Sequence, residues 1–352
     1  MTALTLGSAS ARLDVRKVLE RIANRILTGP VILMYHRVAD VGADPWSIAV
    51  SPANFAEHLQ VLRRHCEPLP LGKMADLLRE RRLPPRAVGL SFDDGYADNL
   101  HNAKPLCARY DVPGTVFVTT GTIGAAREFF WDELERILLE PGTLPRELVL
   151  QLGGRTHRWS LGDDAIYTAE ACQRHRTQQV GDAAPTRRHA VYAELYRLID
   201  ALPFAGRELA LDALRAWAQL PPSDRRLAHP MDADEIRSLA DGRLVEVGAH
   251  GVTHRALSAL PSREQAFEIR DSKRVLEEIL GAPVTGFTYP HGRLGEPTAQ
   301  IAREAGFAYA CTTVNRSIRP SADPYAIPRV FVKNWNGEQF AKRLSRHIRG
   351  IG

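Results

Sequence analysis

The sequence predicts an α/β fold, a parallel (β/α) barrel interrupted by a mostly helical insertion, and three observations predict it. Short apolar runs alternate with amphipathic stretches of helical period, the pattern of a parallel sheet covered by helices. Several of those runs stop at a His or an Asp, and in a barrel of this kind the reactive groups gather where the strands end. The alternation lapses over residues 131–230 and then resumes.

Taken in order, residues 31–35 are an apolar run that ends at His36, and a helix is expected over 52–64. Residues 87–92 form a second strand ending at Asp93, and residues 114–119 a third after a short helix. In the insertion, residues 148–152 and 156–160 flank Gly153-Gly154 and read as a hairpin. Helical stretches are expected near 165–178, 189–201 and 207–220. Asp232 and Glu235 have the spacing of a capping box that opens the helix into the second half. There a strand over 244–249 ends at His250, a helix runs over 262–280, a strand over 284–288 ends at Tyr289-Pro290-His291-Gly292, and a strand starts at 328–332. The expected organisation is an amphipathic helix over 1–30, a first barrel half over 31–130, the insertion over 131–230, a second half over 231–335 and a basic tail over 336–352.

Composition narrows the function. With 352 residues and ordinary apolar and charged fractions, the chain can bury a full core. The net charge of +5 is mild and spread, with no basic stretch interleaved with aromatic residues, so nucleic acid is not an expected partner. Cys66, Cys107, Cys172 and Cys311 are scattered and read as reduced thiols. The N-terminus lacks the features of an export signal, and no apolar run approaches a membrane span, so a cytoplasmic location is expected. Val15, Val18, Leu19, Ile22 and Ile26 lie on one face of a basic opening helix. Packing against the barrel is the first reading of that helix, and peripheral contact with a membrane surface the second. The oligomeric state is not legible.

The chemistry is concentrated in Ser91-Phe92-Asp93-Asp94 and in His250-Gly251-Val252-Thr253-His254. Two adjacent carboxylates at the mouth of a buried strand each raise the cost of ionising the other unless a cation or donor is near. One Asp with two His makes a three-ligand set that leaves room for water, as at a catalytic zinc. The other Asp is then free to act as a general base on that water. Alone, Asp-Asp-Gly is a turn signature, and the His pair fits a polar loop; their shared position after predicted strands distinguishes them. His36 ends a strand on the same face and is the candidate acid, the alternative being a buried His satisfied by a backbone carbonyl.

The SFDDGY, GAHGVTH and FTYPHG motifs, in that order, resemble the polysaccharide deacetylase family, carbohydrate esterase family 4, over residues 31–118 and 244–332. The resemblance implies a distorted (β/α) barrel, a divalent metal, usually zinc (Zn2+), and removal of an acetyl group from an N-acetylated sugar in an oligo- or polysaccharide or its lipid-linked precursor. By the same resemblance Asp93 is the base, and Asp94, His250 and His254 are the metal ligands. The chain departs from the pattern at 288–292, where many members have Arg-x-Pro-Tyr-Gly: Thr288 stands in place of the Arg that orients the catalytic Asp, and His291 in place of Tyr. The role implied at His291 is a backbone N–H on the oxyanion, with Tyr289 beside it. No late Leu-x-His supplies an acid, and His347 lies in the basic tail. Met34-Tyr35-His36-Arg37 instead fits a circularly permuted branch whose acid His is on the first strand. Arg329 is a candidate to orient Asp93, with a structural Arg as the alternative. Trp131 is the aromatic residue placed nearest the mouth for stacking on a sugar ring. Removal of another small acyl group such as formyl, and carbohydrate binding without turnover, are the competing readings.

Overall fold

The computed structural model describes residues 29–348, so the helix expected over 1–30, with its proposed membrane contact, lies outside the described residues. Seven strands run parallel: β1 (Val31–Tyr35), β2 (Ala87–Phe92), β3 (Gly114–Val118), β4 (Val245–Ala249), β5 (Gly286–Thr288), β6 (Tyr309–Cys311) and β7 (Val330–Phe331). Their spatial order is β6-β5-β4-β3-β2-β1-β7, with the short strand Glu67–Pro68 beside the start of β2. The curled sheet is brought round on itself by the segment before β7. Ile327 bridges Cys311 of β6 in parallel, and Val330 pairs with Leu33 of β1. The result is a distorted (β/α) barrel.

Burial on both faces explains why the barrel strands read as near-continuous apolar runs rather than alternating ones. Every residue of β1, β2 and β3 is buried. Helices cover the outside. Pro52–His65 is capped by the Ser51 hydroxyl, which accepts from Asn54 N at 3.2 Å. The capping box expected at Asp232 and Glu235 is present, and helix Ser262–Leu280 has the predicted bounds. No helix among the described residues is long and apolar enough to cross a membrane.

The insertion has an apolar cluster of its own, built on Leu134, Leu138, Leu148, Leu195 and Leu214. Its hairpin pairs Glu147–Leu152 with Arg155–Ser160, and Gly153 and Gly154, both at positive φ, make the two-residue turn. The stretch expected to be helical over 165–178 differs. Residues Ile166–Tyr167 pair as a strand with Gly142–Thr143, and the helix is only Ala169–His175, because Thr168 is its N-cap. The next two helices are Arg187–Asp200, capped by Thr186, and Phe204–Ala218, which follows Pro203.

The stretch read as a basic tail contains the helix Gly337–Ile348. Phe340 and Leu344, four apart, are buried in the barrel core, while the basic residues between them face outward. Phe340 stacks on His58 with ring centroids 4.0 Å apart. Because the Trp335 carbonyl can only accept, His58 Nε2 donates to it (2.6 Å), and Nδ1 then accepts from the Tyr35 hydroxyl (3.2 Å). Burial pushes the imidazole down to about 4, so it stays neutral in the folded chain.

A histidine that protonates near 6.5 when unfolded but near 4 when folded contributes stability above the higher value and loses it as pH falls through that window. Urea unfolding should therefore show stability falling with pH between about 6.5 and 4. His58→Gln should flatten that slope by about 1.4 kcal/mol per pH unit; an unchanged slope would show that His58 is not the group.

Candidate active site

Asp93 continues the β2 ladder, donating its N–H to the Tyr35 carbonyl at 3.0 Å, and its side chain is buried against Arg329. Arg329 Nη1 donates to Asp93 Oδ1 and Nη2 to Oδ2, each at 2.7 Å. Two further donors are also used: Nη1 reaches the Ser91 hydroxyl (3.1 Å) and Nε the Thr312 carbonyl (3.0 Å). Burial alone would raise the Asp93 pKa, but the Arg329 guanidinium together with the neighbouring histidines outweighs it and holds the carboxyl below its ordinary range. The arginine that grips Asp93 thus comes from the segment that closes the barrel, and not from position 288, which is Thr.

Asp94 turns away from the strand at φ 77, and Gly95 follows at φ 90. A Cβ on Gly95 would meet the Val118 backbone at 3.2 Å, so the turn needs glycine there. The reversal sends the Asp94 carboxylate toward the two histidines. Its Oδ1 stands 3.6 Å from His250 Nε2 and 3.3 Å from His254 Nε2, and it is buried without a hydrogen-bond partner. Ligands on a tetrahedral zinc, at bonds of about 2.0–2.1 Å, lie roughly 3.3–3.4 Å apart. The three atoms therefore fit a metal ion, and an orphaned buried carboxylate oxygen between two imidazoles asks for one.

The proton of His250 is set by the backbone. His250 Nδ1 lies 2.9 Å from the Thr288 carbonyl, an acceptor only, so Nδ1 carries the proton and Nε2 presents its lone pair to the site. The Thr288 hydroxyl is also in contact with Nδ1, at 2.5 Å. Burial pushes His250 down to about 4, with Asp93 opposing, which leaves the ring neutral as a ligand must be. The loop between the histidines is held by Glu268, whose carboxylate accepts from Val252 N (2.7 Å), Thr253 N (2.9 Å) and the Thr253 hydroxyl. Glu268 was not visible as a functional residue in the sequence, where it is one of several acids on a long helix.

His36 is half-buried, edge-on to Phe331 at 5.9 Å, and its Nδ1 has no partner. It is close enough to both Asp93 and Asp94 to interact electrostatically with each. It is thus not a core histidine satisfied by a carbonyl. His291 adopts φ 59, and its ring centroid is 4.8 Å from that of His254. Two other candidates are placed differently from the sequence reading. The Tyr289 side chain is in the core, donating its hydroxyl to the Tyr325 carbonyl at 2.9 Å. Trp131 is only 5% exposed: it stacks on Phe129, donates Nε1 to the Tyr96 hydroxyl (2.6 Å), and packs 4.9 Å from His254. It packs against the His254 ring and offers no free face to a sugar.

The polysaccharide deacetylase family model matches residues 80–143 and 217–310, leaving the centre of the insertion unmatched. YxkH of Bacillus subtilis (strain 168), whose name carries the same family, is 26% identical over 104 residues, 30% of this chain and 37% of the relative, so the match spans little more than a third of that protein. The Streptococcus pyogenes deacetylase PplD, solved in complex with acetate, superposes with a TM-score of 0.54 at 17% identity, covering 90% of this chain and 98% of that one. IcaB from Ammonifex degensii gives 0.56 at 19% identity, covering 92% and 97%. At these identities the solved structures show a shared fold.

His254→Ala and Asp94→Ala are each expected to lower zinc affinity at least about 100-fold, read by competition with a chromophoric chelator. Tight binding of one zinc by either variant would dismiss the three-residue site.

Proposed function

From the premise that this chain carries a polysaccharide deacetylase domain, we propose that it is a metal-dependent hydrolase that removes N-acetyl groups from N-acetylhexosamine units of an oligo- or polysaccharide or its lipid-linked precursor. The observation that carries the reading is the pairing of a buried, Arg-held carboxylate, Asp93, with a neighbouring Asp-His-His set of metal-ligand geometry. A carbohydrate-binding protein has no chemical need for a positioned base beside three ligands.

Asp94, His250 and His254 would hold the metal, which when bound supplies Lewis acidity to water and to the acyl carbonyl. Asp93 stays ionised because Arg329 faces it, and each of its oxygens keeps a second lone pair able to accept a proton from the attacking water. Attack on the acetyl carbon gives a tetrahedral oxyanion, toward which the backbone N–H of His291 donates. His36 delivers a proton to the amine nitrogen as the carbon–nitrogen bond breaks, leaving acetate and a free amino sugar. Asp93 takes one proton and His36 gives one, so the pair is restored by a single transfer between them or through solvent.

Acetate release from N-acetylglucosamine oligomers should be abolished by chelator and restored by zinc. Asp93→Asn should retain zinc and lose about 10²–10⁴-fold in turnover. Arg329→Lys should fall well below the unaltered chain, because an ammonium cannot grip both carboxylate oxygens. Zinc-restored activity in Asp93→Asn equal to that of the unaltered chain would remove Asp93 from the role. Release of formate from N-formyl sugars but no acetate would move the substrate to the other acyl group.

A further inference from the structure

Arg207 belongs to the insertion, on the helix Phe204–Ala218 and outside both family-matched stretches, yet it reaches the barrel site. Its side chain is 5% exposed. Nη1 donates to the carbonyl of Thr253, the residue before His254, at 3.0 Å. Nη2 donates to the Asp200 carbonyl (2.7 Å) and to Asp200 Oδ1 (3.3 Å), and Nε to the Leu202 carbonyl (3.2 Å). The guanidinium lies 5.1 Å over the Phe130 ring. Asp200 Oδ1 in turn stands 3.9 Å from His291 Nε2, a buried nitrogen with no hydrogen-bond partner.

The bonds to Asp200 and Leu202 have a local purpose, since they satisfy carbonyls left open where one insertion helix ends and the next begins. The bond to Thr253 has no such purpose within the insertion. It crosses to a loop in which His254 is held at φ 56, a left-handed conformation that a histidine adopts at a cost and keeps only when its surroundings enforce it. One side chain therefore touches both flanks of the site: the peptide leading into His254, and the carboxylate facing His291.

We propose that Arg207 is a positioning residue of the barrel site, fixing the backbone before His254 and carrying Asp200 against His291, so that the insertion completes the site. The proposal rests on the metal-site reading above.

Arg207→Met keeps the stem and removes the donors, and zinc affinity is measured by chelator competition with no substrate present, alongside the visible absorption of the cobalt-substituted chain. Arg188→Met is the matched control. Arg188 is an equally buried insertion arginine that serves only insertion carbonyls, those of Leu138, Glu140, Gly142, Asp164 and Ala165. R207M should bind zinc about 10–100-fold more weakly, as loss of an outer-shell partner does, with an altered cobalt spectrum. R188M should lower the urea midpoint and leave zinc affinity alone. Should R207M fail to fold, Arg207→Lys decides: weakened zinc binding at an unchanged urea midpoint supports the proposal. Zinc affinity of R207M or R207K within twofold of the unaltered chain overturns it, as does an equal loss in R188M. An unaltered chain that takes up no zinc overturns the metal-site reading itself, and this proposal with it.

Discussion

Two charges, the guanidinium of Arg329 and the carboxylate of Asp93, meet where the barrel closes, with side chains 0% and 3% exposed. Withdrawing such ions from water costs several kcal/mol each, and their attraction offsets this only when geometry is good and the spare donors are satisfied. The fork here is bidentate, and two of the three remaining N–H groups reach Ser91 and Thr312. Deleting one partner would strand the other charge, a loss of about 3–5 kcal/mol. The same contact aims Asp93 and ties the last barrel segment to the second strand, so closure of the sheet and the state of the carboxylate are one physical event.

From that pair outward, the site is tied to the insertion on two sides. Arg37, next to His36, donates to Asp98 (3.0 Å) and Asp132 (3.2 Å), and Asp132 is already in the insertion, where it also accepts from Tyr96. On the opposite side Arg207 crosses to Thr253. At the start of the insertion and within it, Arg225 gathers Glu128, Glu135 and Glu140, and Arg127 gathers Glu133, Glu208 and Asp212. The barrel is held mainly by apolar burial and the insertion by apolar burial laced with ion pairs, and the two are joined by these arginines together with aromatic contacts such as Trp131 on Tyr96 and Trp46 on Tyr192.

What the sequence disclosed and what it hid divide along the range of the interactions. Asp93, Asp94, His250 and His254 were legible because strand ends are local features and barrel topology brings strand ends together. Arg329 was legible only as one of two possibilities, since nothing within ten residues of it announces a partner 236 positions away. Thr288 and Glu268 act through a backbone carbonyl and through backbone N–H groups, and such duties leave no residue-type signature. Trp131 looked free because the Tyr96 hydroxyl that occupies its N–H is far off in sequence. The final helix was hidden by composition: its buried positions, Phe340 and Leu344, sit among basic residues, and only the docking surface beside His58 gives them a reason to be apolar.

Arg329 follows the carboxylate it grips by 236 positions, and the chain is synthesised in that direction. A ribosome delivers both aspartates and both histidines long before it delivers the residue that neutralises Asp93. Until then, burying Asp93 means leaving its charge unpaired or adding a proton to it, each at a cost. Closure of the barrel seam and neutralisation of Asp93 therefore both wait for the segment that carries Arg329.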